Sequence, residues 1–390
     1  MTLYLNDLGL LCAAGNSRSE AIKRLLAGDR SGLIATDTFG PMTIVGQCTD
    51  ELPEIDQHYS IYDCRNNRLL LAALSQVRAT VSSMIAKFGI DRIGVVLGTS
   101  TSGVRSTELA LAYQAEHGIL SEQFHYKQQQ MGAGADFLAA YLGLTGPAYT
   151  ISTACSASGK AFASARRLIN LNLCDAVIVG GADSLCGLTI NGFAALESLS
   201  TGYCKPFGLH RNGINIGEAA SLFVLSKEPG PVQLLGIGAS SDAYHFSAPD
   251  PAGTAVITAM QKALSDAGKQ PDEVDYLNLH GTATVLNDAM ESKAVNAVFG
   301  TQVAASSSKG MTGHTLGAAA ALELGFCWLL LAENGQGALI PNINDDELDT
   351  SLASLKLVKK GESLGRSIQV CQSNSFAFGG NNVSIVIART

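Results

Sequence analysis

Short apolar segments alternate with longer Ala- and Leu-rich segments along the chain. Three of the apolar segments, each followed by a turn of small residues, are RIGVVLGTS (92–100), AVIVGGADS (176–184) and YLNLHGTAT (276–284). Between such segments lie helical patterns, for example GKAFASARRLINLN (159–172) and GTAVITAMQKALSDAG (253–268). Strands that are apolar on both faces need a sheet that is covered on both sides, so the alternation predicts an α/β fold.

The segment SKEPGPVQ (226–233) interrupts this alternation with proline and glycine. The strand-then-turn arrangement recurs on each side of it, which predicts two similar halves, residues 1–228 and 229–390. Because no low-complexity linker separates them, we expect the halves to share one core. The length of 390 residues also fits two fused units better than one minimal domain.

Composition and charge narrow the classes of function. A formal net charge of −8 without any block of basic residues argues against nucleic-acid binding. The apolar segment LGAAAALELGFCWLLLA (316–332) is interrupted by Glu323 and predicts a core helix, so we expect no membrane span. The N-terminus lacks the basic region of a signal peptide, and the nine cysteines include no C-x-x-C pair. These features indicate a cytoplasmic protein with reduced thiols and no metal site.

Cys155 is the first candidate for chemistry. It lies in TACSAS (153–158), after an apolar segment and just before a helical pattern. The start of a helix favours a thiolate, and its free N–H groups can bind the oxyanion that forms when a thioester is attacked. The structural alternative is a small buried cysteine in a strand-to-helix turn, and position alone leaves both interpretations open.

Two histidines strengthen the catalytic interpretation. His280 and His314 each follow a predicted strand or turn and stand beside glycine or threonine. A single histidine of this kind is more often structural, but together with Cys155 they form a Cys–His–His set. Histidine can donate an N–H to a carbonyl oxygen and can move protons near neutral pH.

The segment NSFAFGGNN (374–382) combines adjacent glycines with two phenylalanines. Gly379 and Gly380 permit backbone conformations that other residues avoid, and Phe376 and Phe378 are bulky and apolar. The segment is a candidate gate over an apolar pocket. The alternative is a turn between two strands whose phenylalanines pack in the core.

Together these segments resemble the β-ketoacyl-acyl carrier protein synthases, the elongating condensing enzymes of the thiolase superfamily. The segments that carry the resemblance, in the family's order, are TACSAS (153–158), GINIGEAAS (213–221), SSDAYHFSAP (240–249), HGTATVLND (280–288), KGMTGHTLGAAAALE (309–323) and NSFAFGGNN (374–382). The resemblance covers the whole chain. It implies the thiolase fold, in which two similar α/β halves stack as five αβαβα layers and the protein dimerises through its sheets.

The resemblance also implies roles for individual residues. Cys155 would accept the acyl group, while His280 and His314 would hold the malonyl thioester carbonyl and promote loss of carbon dioxide. Lys309 and Glu323 would form a buried polar pair that orders the site. The backbone N–H groups of Cys155 and Phe378 would form the oxyanion hole. The gate would contain Phe376, Phe378, Gly379 and Gly380, and the mobile loop opposite the gate would contain Asp242 and His245.

The implied partner is an acyl carrier protein, which presents its substrates as phosphopantetheine thioesters; no other cofactor is expected. The family often places basic residues where this acidic carrier docks, but Glu122 and Glu197 occupy two of those places here. Opposite charges steer docking, so other basic residues are expected to compensate. These residues are Arg65, Arg68, Lys127 and Lys205.

A second departure lies in the gate, where Ala377 stands at the first position of the family's G-F-G-G pattern. Its Cβ is expected to restrict the backbone of the gate. Together the departures indicate a specialised pathway, of the aryl-polyene or polyketide type, as an interpretation beside primary fatty-acid elongation.

The sequence thus predicts an elongating ketosynthase that condenses malonyl thioesters with an acyl chain on Cys155. We expect a homodimer, or a heterodimer with a paralogous ketosynthase-like subunit. The alternative is a non-catalytic subunit that determines chain length in such a heterodimer, and the retained Cys155, His280 and His314 argue against it. A biosynthetic thiolase is also disfavoured, because the late candidate cysteine, Cys371, lies within a predicted strand.

Overall fold

The computed structural model describes residues 2–344 and 348–390. The strands are β1 (Leu3–Cys12), β2 (Leu33–Thr36), β3 (Thr43–Gly46), β4 (Ile93–Gly98), β5 (Ala148–Ile151), β6 (Ala176–Asp183), β7 (Ile216–Gly217), β8 (Ala219–Ser226), β9 (Val232–Ser241), β10 (Tyr276–Asn278), β11 (Ala304–Ser306), β12 (Lys356–Leu357), β13 (Val370–Phe376) and β14 (Asn381–Arg389). The α-helices are α1 (Arg18–Leu26), α2 (Arg65–Phe88), α3 (Val104–His117), α4 (Ala133–Leu142), α5 (Ala157–Asn170), α6 (Gly187–Ala195), α7 (Thr254–Ala267), α8 (Val285–Phe299), α9 (Lys309–Thr312) and α10 (Ala319–Ala332). Short 3-10 helices cover Gln57–Tyr62, Tyr126–Gln129, Pro271–Glu273, Leu316–Ala318 and Phe378–Gly380.

Eleven strands form one mixed sheet in the order β12-β11-β10-β13-β14-β9-β1-β8-β6-β4-β5. The series β1-β8-β6-β4-β5 and the series β9-β14-β13-β10-β11 follow the same topology when each is numbered from its own first strand. In both series the first two pairings are antiparallel and the last two are parallel. The two similar halves expected from the sequence are therefore present. The predicted boundary at residues 228 and 229 falls between β8 and β9 and stays a prediction.

The helices form three layers around the two halves of the sheet. α5 packs against β4, β6 and β14, and α10 packs against β8, β13 and β14, so these two helices lie between the halves. α2 and α4 cover the outer face of the first half, and α7, with α8 packed on it, covers the outer face of the second. The result is the predicted αβαβα stack of five layers.

α10 explains why the most apolar segment of the chain is not amphipathic. Every residue from Ala319 to Leu331 is buried, because the helix has a sheet on two sides. A helix that is apolar all round must be buried all round. Glu323 is its one charged residue, and its buried carboxylate marks the site described below.

α2 is long and apolar enough to cross a membrane by length and composition alone, and it is the one helix in residues 2–344 and 348–390 that meets this test. One face of it packs against β1, β8 and β6. Its opposite face carries exposed residues such as Ser75 and Arg78. This half-buried packing is that of a core helix on the outer face of a sheet.

Candidate active site

The three residues predicted to carry the chemistry follow parallel strands. Cys155 follows β5, His280 follows β10, and His314 follows β11 after the short helix α9. In α/β sheets, the loops after the carboxyl ends of parallel strands form the binding crevice. Here the loops come from both halves, so the site lies where the two halves meet.

A strained turn presents Cys155. Ala154, just before it, has a φ of 50°, a left-handed conformation that a non-glycine residue seldom adopts. Ser156 is the N-cap of α5, and its Oγ donates to the Thr153 carbonyl oxygen at 2.9 Å. The thiol is thereby held just before the first turn of α5, as the sequence predicted.

Cys155, His280 and His314 form a compact buried cluster. His314 Nε2 lies 2.9 Å from Cys155 Sγ. One candidate ligand atom from each of the three residues lies within 4.8 Å of the others, and the two imidazole rings are 5.4 Å apart in an edge-to-face arrangement. This geometry allows proton transfer between the thiol and His314 and places His280 beside the same reacting atoms.

Burial sets the protonation states of the cluster. It raises the pKa of Cys155 to about 11, although the Lys309 ammonium and the backbone N–H groups of Phe378 and of Cys155 itself act in the opposite direction. Burial, followed by the charge of Lys309, lowers the pKa of both His280 and His314 well below the usual value. The backbone N–H groups at the helix start favour the thiolate, as expected, but burial outweighs them, so the thiol and both imidazoles are neutral in the substrate-free site.

Lys309 and Glu323 form a buried ion pair beside the cluster. Lys309 Nζ contacts Glu323 Oε1, and Asn278 Nδ2 donates to Glu323 Oε2 at 3.3 Å. Burial raises the pKa of Glu323, while Lys309 opposes that shift. The Lys309 ammonium is therefore close enough to act on Cys155 and both histidines, and the Glu323 carboxylate balances its charge.

Two acidic residues of α8 hold the His280 loop, and the sequence analysis missed both. Glu291 accepts the backbone N–H groups of His280 and Gly281 at 2.7 and 2.6 Å, and Asp288 accepts that of Ala283 at 3.2 Å. These bonds satisfy the backbone of the turn that follows β10, which ends at Asn278. Acids at positions i and i+3 on the buried face of the helix were the available signal.

Asp183, at the end of β6, is a further residue that the sequence analysis missed. Its buried carboxylate accepts the side-chain hydroxyls of Thr99 and Thr101, the backbone N–H groups of Ser100 and Thr101, and that of Gly317 at 2.6 Å. Gly317 lies three residues after His314 and belongs to the second half of the chain. Asp183 therefore ties the His314 loop to the half that carries Cys155.

The segment around Phe378 lies over the cluster. Phe376 is buried 5.9 Å from the His280 ring, and the Phe378 ring is half-buried 5.6 Å from that of Phe193. Gly379 and Gly380 have φ values of 77° and 75°, and a Cβ on Gly380 would collide with Asp242 Oδ1. Asp242 N–H in turn donates to the Gly380 carbonyl oxygen at 3.0 Å, so the two predicted gating loops touch.

Two details of these loops bear on the expectations. Ala377 has a φ of −105° and a ψ of 151°, ordinary extended backbone, so its Cβ causes no strain in this conformation, and the expected restriction of the gate's movement stays a prediction. His245 is exposed, and its Nδ1 accepts the backbone N–H groups of Ser247 and Ala248 at 3.2 Å. It therefore caps its own loop, while Asp242 lines the cavity.

A cavity of about 310 Å³ leads to the cluster. Its inner wall contains Cys155, His280, His314 and Phe376. Further out, its lining residues are Phe193, Leu196, Glu197, Ser198, Asn212, Gly213, Ile214, Asp242, Ser247, Ala248, Pro249, Thr282, Thr284, Val285, Leu286, Asn287, Ala377, Phe378 and Asn382. A narrow, largely apolar approach to a buried thiol suits a flexible substrate arm better than a bulky soluble substrate.

The basic residues predicted for carrier docking do not line this cavity. Arg65 donates to both carboxylate oxygens of the buried Glu218, at 2.5 and 2.8 Å. Arg68 pairs with Asp63 at 2.6 Å, and Lys127 pairs with Asp136 at 2.6 Å. Lys205 is half-buried and already has a partner. Their role in docking stays a prediction, and Arg65 has a structural role as well.

Comparisons with known proteins agree with this fold and site. The model of the beta-ketoacyl synthase N-terminal domain matches residues 50–229, and that of the C-terminal domain matches residues 232–344. The 3-oxoacyl-[acyl-carrier-protein] synthase 2 of Coxiella burnetii is 31% identical over 99% of this chain and 98% of its own. Nodulation protein E of Rhizobium leguminosarum bv. trifolii is 31% identical over 97% of each chain.

Solved structures extend the comparison. A chain in the complex of the ketosynthase ApeO with its chain length factor ApeC, from Xenorhabdus doucetiae, is 44% identical, with a TM-score of 0.94 over 100% of this chain and 98% of that one. A chain in the ishigamide ketosynthase/chain length factor structure is 25% identical, with a TM-score of 0.89 over 100% and 99%.

The fold and these matches define a condensing acyltransferase of the thiolase superfamily. More narrowly, the chain belongs to the β-ketoacyl synthase family. The fold, the enzyme class and the ketosynthase function expected from the sequence are thereby confirmed.

Proposed function

We propose that this chain is a catalytic ketosynthase subunit in which Cys155 carries the growing acyl chain. The observation that carries the proposal is the 2.9 Å contact between Cys155 Sγ and His314 Nε2, with His280 in the same cluster. A non-catalytic subunit would have no need of a nucleophile, a base and a second histidine at one cavity end. The phosphopantetheine arm of an acyl carrier protein would bring each substrate through the cavity.

The first half-reaction is transthioesterification. Cys155 Sγ attacks the acyl thioester carbon while His314 takes the thiol proton, and the backbone N–H groups of Cys155 and Phe378 bind the oxyanion. The C–S bond to the carrier then breaks, and the proton passes to the departing pantetheine sulfur. The acyl group is left on Cys155, and both histidines are neutral again.

The second half-reaction is decarboxylative condensation. N–H donors on His280 and His314 hold the malonyl thioester oxygen, so the electron pair released by loss of carbon dioxide is stabilised as an enolate. The lowered pKa of both histidines keeps them neutral, which suits a donor that must not give its proton away. The enolate carbon attacks the acyl carbonyl carbon, and Cys155 leaves as the thiolate. The thiolate then takes up one proton from water, which is the proton consumed overall when the malonyl carboxylate is lost as carbon dioxide. The product is a 3-oxoacyl thioester on the carrier.

The finer function we propose is elongation in a specialised aryl-polyene or polyketide-type pathway, in the cytoplasm, by a heterodimer with a paralogous subunit. Two similar structures support this, since both are of a ketosynthase with a chain length factor. The chemistry requires no metal or organic cofactor beyond the carrier's phosphopantetheine. Elongation of saturated fatty acyl chains as a homodimer is the alternative outcome of the test.

The test is condensation of malonyl carrier protein with a panel of saturated, polyunsaturated and aryl-primed acyl carriers, with and without the coexpressed paralogue. We expect wild type to release 3-oxoacyl carrier, with unsaturated or aryl primers preferred. Cys155→Ala should abolish condensation, and His280→Ala should lower it at least 100-fold while Cys155 still becomes acylated. Equal rates with saturated C8–C14 primers would contradict the specialised role, and condensation by Cys155→Ala would contradict the proposal itself.

A further inference from the structure

The mouth of the Cys155 cavity is apolar and lacks cations. Val285 and Leu286, at the start of α8, are 57% and 58% exposed, and Leu196, at the C-cap of α6, is 44% exposed. All three line the cavity, so they stand where it opens to solvent. We call these three side chains the apolar rim.

Among the residues that the structure describes, the charged ones that line the cavity are acidic. Within the part of the chain that the structure describes, no lysine or arginine lines the cavity. The carboxylates of Glu197 and Asp242 do line it. An acidic partner would therefore meet repulsion rather than attraction at this opening.

Two of the four basic residues expected to receive the carrier lie in another groove. Arg65 and Arg68 line it without Cys155, and each is paired with a carboxylate of its own chain. Further acidic residues line the same groove: Asp50, Glu51, Glu54 and Glu122. This groove therefore offers an acidic carrier no excess of positive charge.

We propose that the carrier protein docks on the apolar rim through apolar side chains around the serine that bears its phosphopantetheine arm. The inference rests on the proposed function, because the arm must enter this cavity to bring its thioester to Cys155. The body of the carrier must then cover whatever surrounds the opening. Here the exposed apolar part of that surface is formed by Leu196, Val285 and Leu286, so burial of apolar area supplies the binding free energy and ionic contacts contribute little.

The rim is suited to such a contact because the residues beneath it are fixed. Asn287, Asp288 and Glu291 on α8 are buried and hydrogen-bonded to one another or to the His280 loop. Val285 and Leu286 thus project from a rigid helix start, so little conformational entropy is lost in ordering them when a carrier binds. The same helix connects the rim to the loop of His280.

Two readouts test the proposal separately from the chemistry. The dissociation constant of a holo acyl carrier protein is measured for wild type, for the double variant Val285→Ser/Leu286→Ser and for Leu171→Ser, each with any paralogous subunit it requires. Leu171, at the C-cap of α5, is 70% exposed and lies outside the cavity, so it is a matched control. Acylation of Cys155 by octanoyl-pantetheine, which has no carrier body, reports the integrity of the site.

We expect the double variant to weaken carrier binding about tenfold, since two apolar contacts are lost, and Leu171→Ser to leave it unchanged. Wild-type binding should change less than about threefold between 0.05 and 0.5 M NaCl. Acylation of Cys155 by octanoyl-pantetheine should still occur in all three proteins, and any loss in the double variant should be smaller than its loss of carrier binding, since Val285 and Leu286 also line the cavity. An unchanged dissociation constant in the double variant, or binding that weakens steeply with salt, would overturn the apolar rim. Absence of Cys155 acylation in wild type would instead refute the proposed function, and the dissociation constants alone would then decide whether the carrier docks on the apolar rim.

Discussion

At the scale of single residues, the reacting groups are held neutral by burial. The pKa of Cys155 is raised to about 11, and those of His280 and His314 are lowered. A thiol that is protonated until substrate arrives is protected from adventitious electrophiles and oxidants. On the proposed mechanism, the thiolate forms during the attack on a thioester, when His314 takes the proton.

This protonation state predicts how Cys155 reacts with small electrophiles. The rate of alkylation by iodoacetamide should rise about tenfold per pH unit from pH 7 and should level off only near pH 11, because the thiolate fraction grows until the pKa is reached. Labelling is followed by peptide mass spectrometry, which separates Cys155 from the other eight cysteines. A rate that is already constant between pH 6 and 8 would reveal a thiolate–imidazolium pair and would contradict this description.

The Lys309–Glu323 pair predicts a separation of stability from activity. Removal of one partner leaves an unpaired buried charge, so Lys309→Met or Glu323→Leu should each lower the free energy of unfolding by about 3–5 kcal/mol. The double variant should recover most of that loss, because neither charge is then left unpaired. Condensation should stay low in the double variant, since the positive charge near Cys155 is gone. Urea unfolding and the condensation rate check this, and full activity of the stable double variant would show that the pair is only structural.

At the scale of elements, the loops that carry the three reacting residues share a strained backbone. Ala154, Ala283 and Leu316 have φ values of 50°, 62° and 52°, and each lies within three residues of Cys155, His280 or His314. Left-handed conformations of non-glycine residues are costly and persist where the surroundings fix them. Here Asp288 holds Ala283 N–H, and Asp183 holds Gly317 N–H next to Leu316.

At the scale of elements, Asp183 is the residue whose substitution tests how the His314 loop is held. Asp183→Asn places an amide among donors that all need an acceptor, so the free energy of unfolding should fall by about 1–3 kcal/mol. Because the bond to Gly317 positions the His314 loop, condensation should fall at least tenfold in the folded variant. The rise of Cys155 alkylation with pH should also change. If Asp183 had only a structural role, the pH dependence of Cys155 alkylation would be the same in the variant as in wild type.

Asp275 provides the matched control for Asp183. Its carboxylate, before β10 at the end of the strand away from His280, accepts the backbone N–H groups of Gln369 and Val370 and pairs with Arg366. Asp275→Asn should destabilise the protein to a similar degree and leave the alkylation profile and condensation unchanged. Equal losses of activity in both variants would refute a positioning role for Asp183.

At the scale of the whole molecule, local patterns singled out Cys155, His280 and His314 as candidates but did not show the residues that hold them. Cys155, His280 and His314 each follow an apolar strand and a small-residue turn, features that lie within a few residues of one another. Thr99 and Asp183 are 84 positions apart, and Arg65 and Glu218 are 153 apart. Such pairs depend on which strands become neighbours. For the same reason, the sequence could not show that the predicted docking charges are paired within the chain.

On the proposed mechanism, the duplicated topology explains how one site can serve two half-reactions. The first half supplies Cys155 at the start of α5, and the second supplies His280, His314, Lys309 and Glu323. α5 and α10 pack against each other in the central layer, which fixes Cys155 relative to the groups proposed to stabilise the enolate. Neither half could form the site alone.

The measurement that tests the central claim most directly is the intact mass of the protein after incubation with a panel of acyl carrier thioesters, wild type beside Cys155→Ala. We predict one added acyl group per wild-type chain and none on the variant, with the preferred acyl group identifying the primer. No adduct on folded wild type from any donor, with the paralogous subunit present, would contradict the assignment of Cys155 as the nucleophile. An equal adduct on Cys155→Ala would contradict it as well.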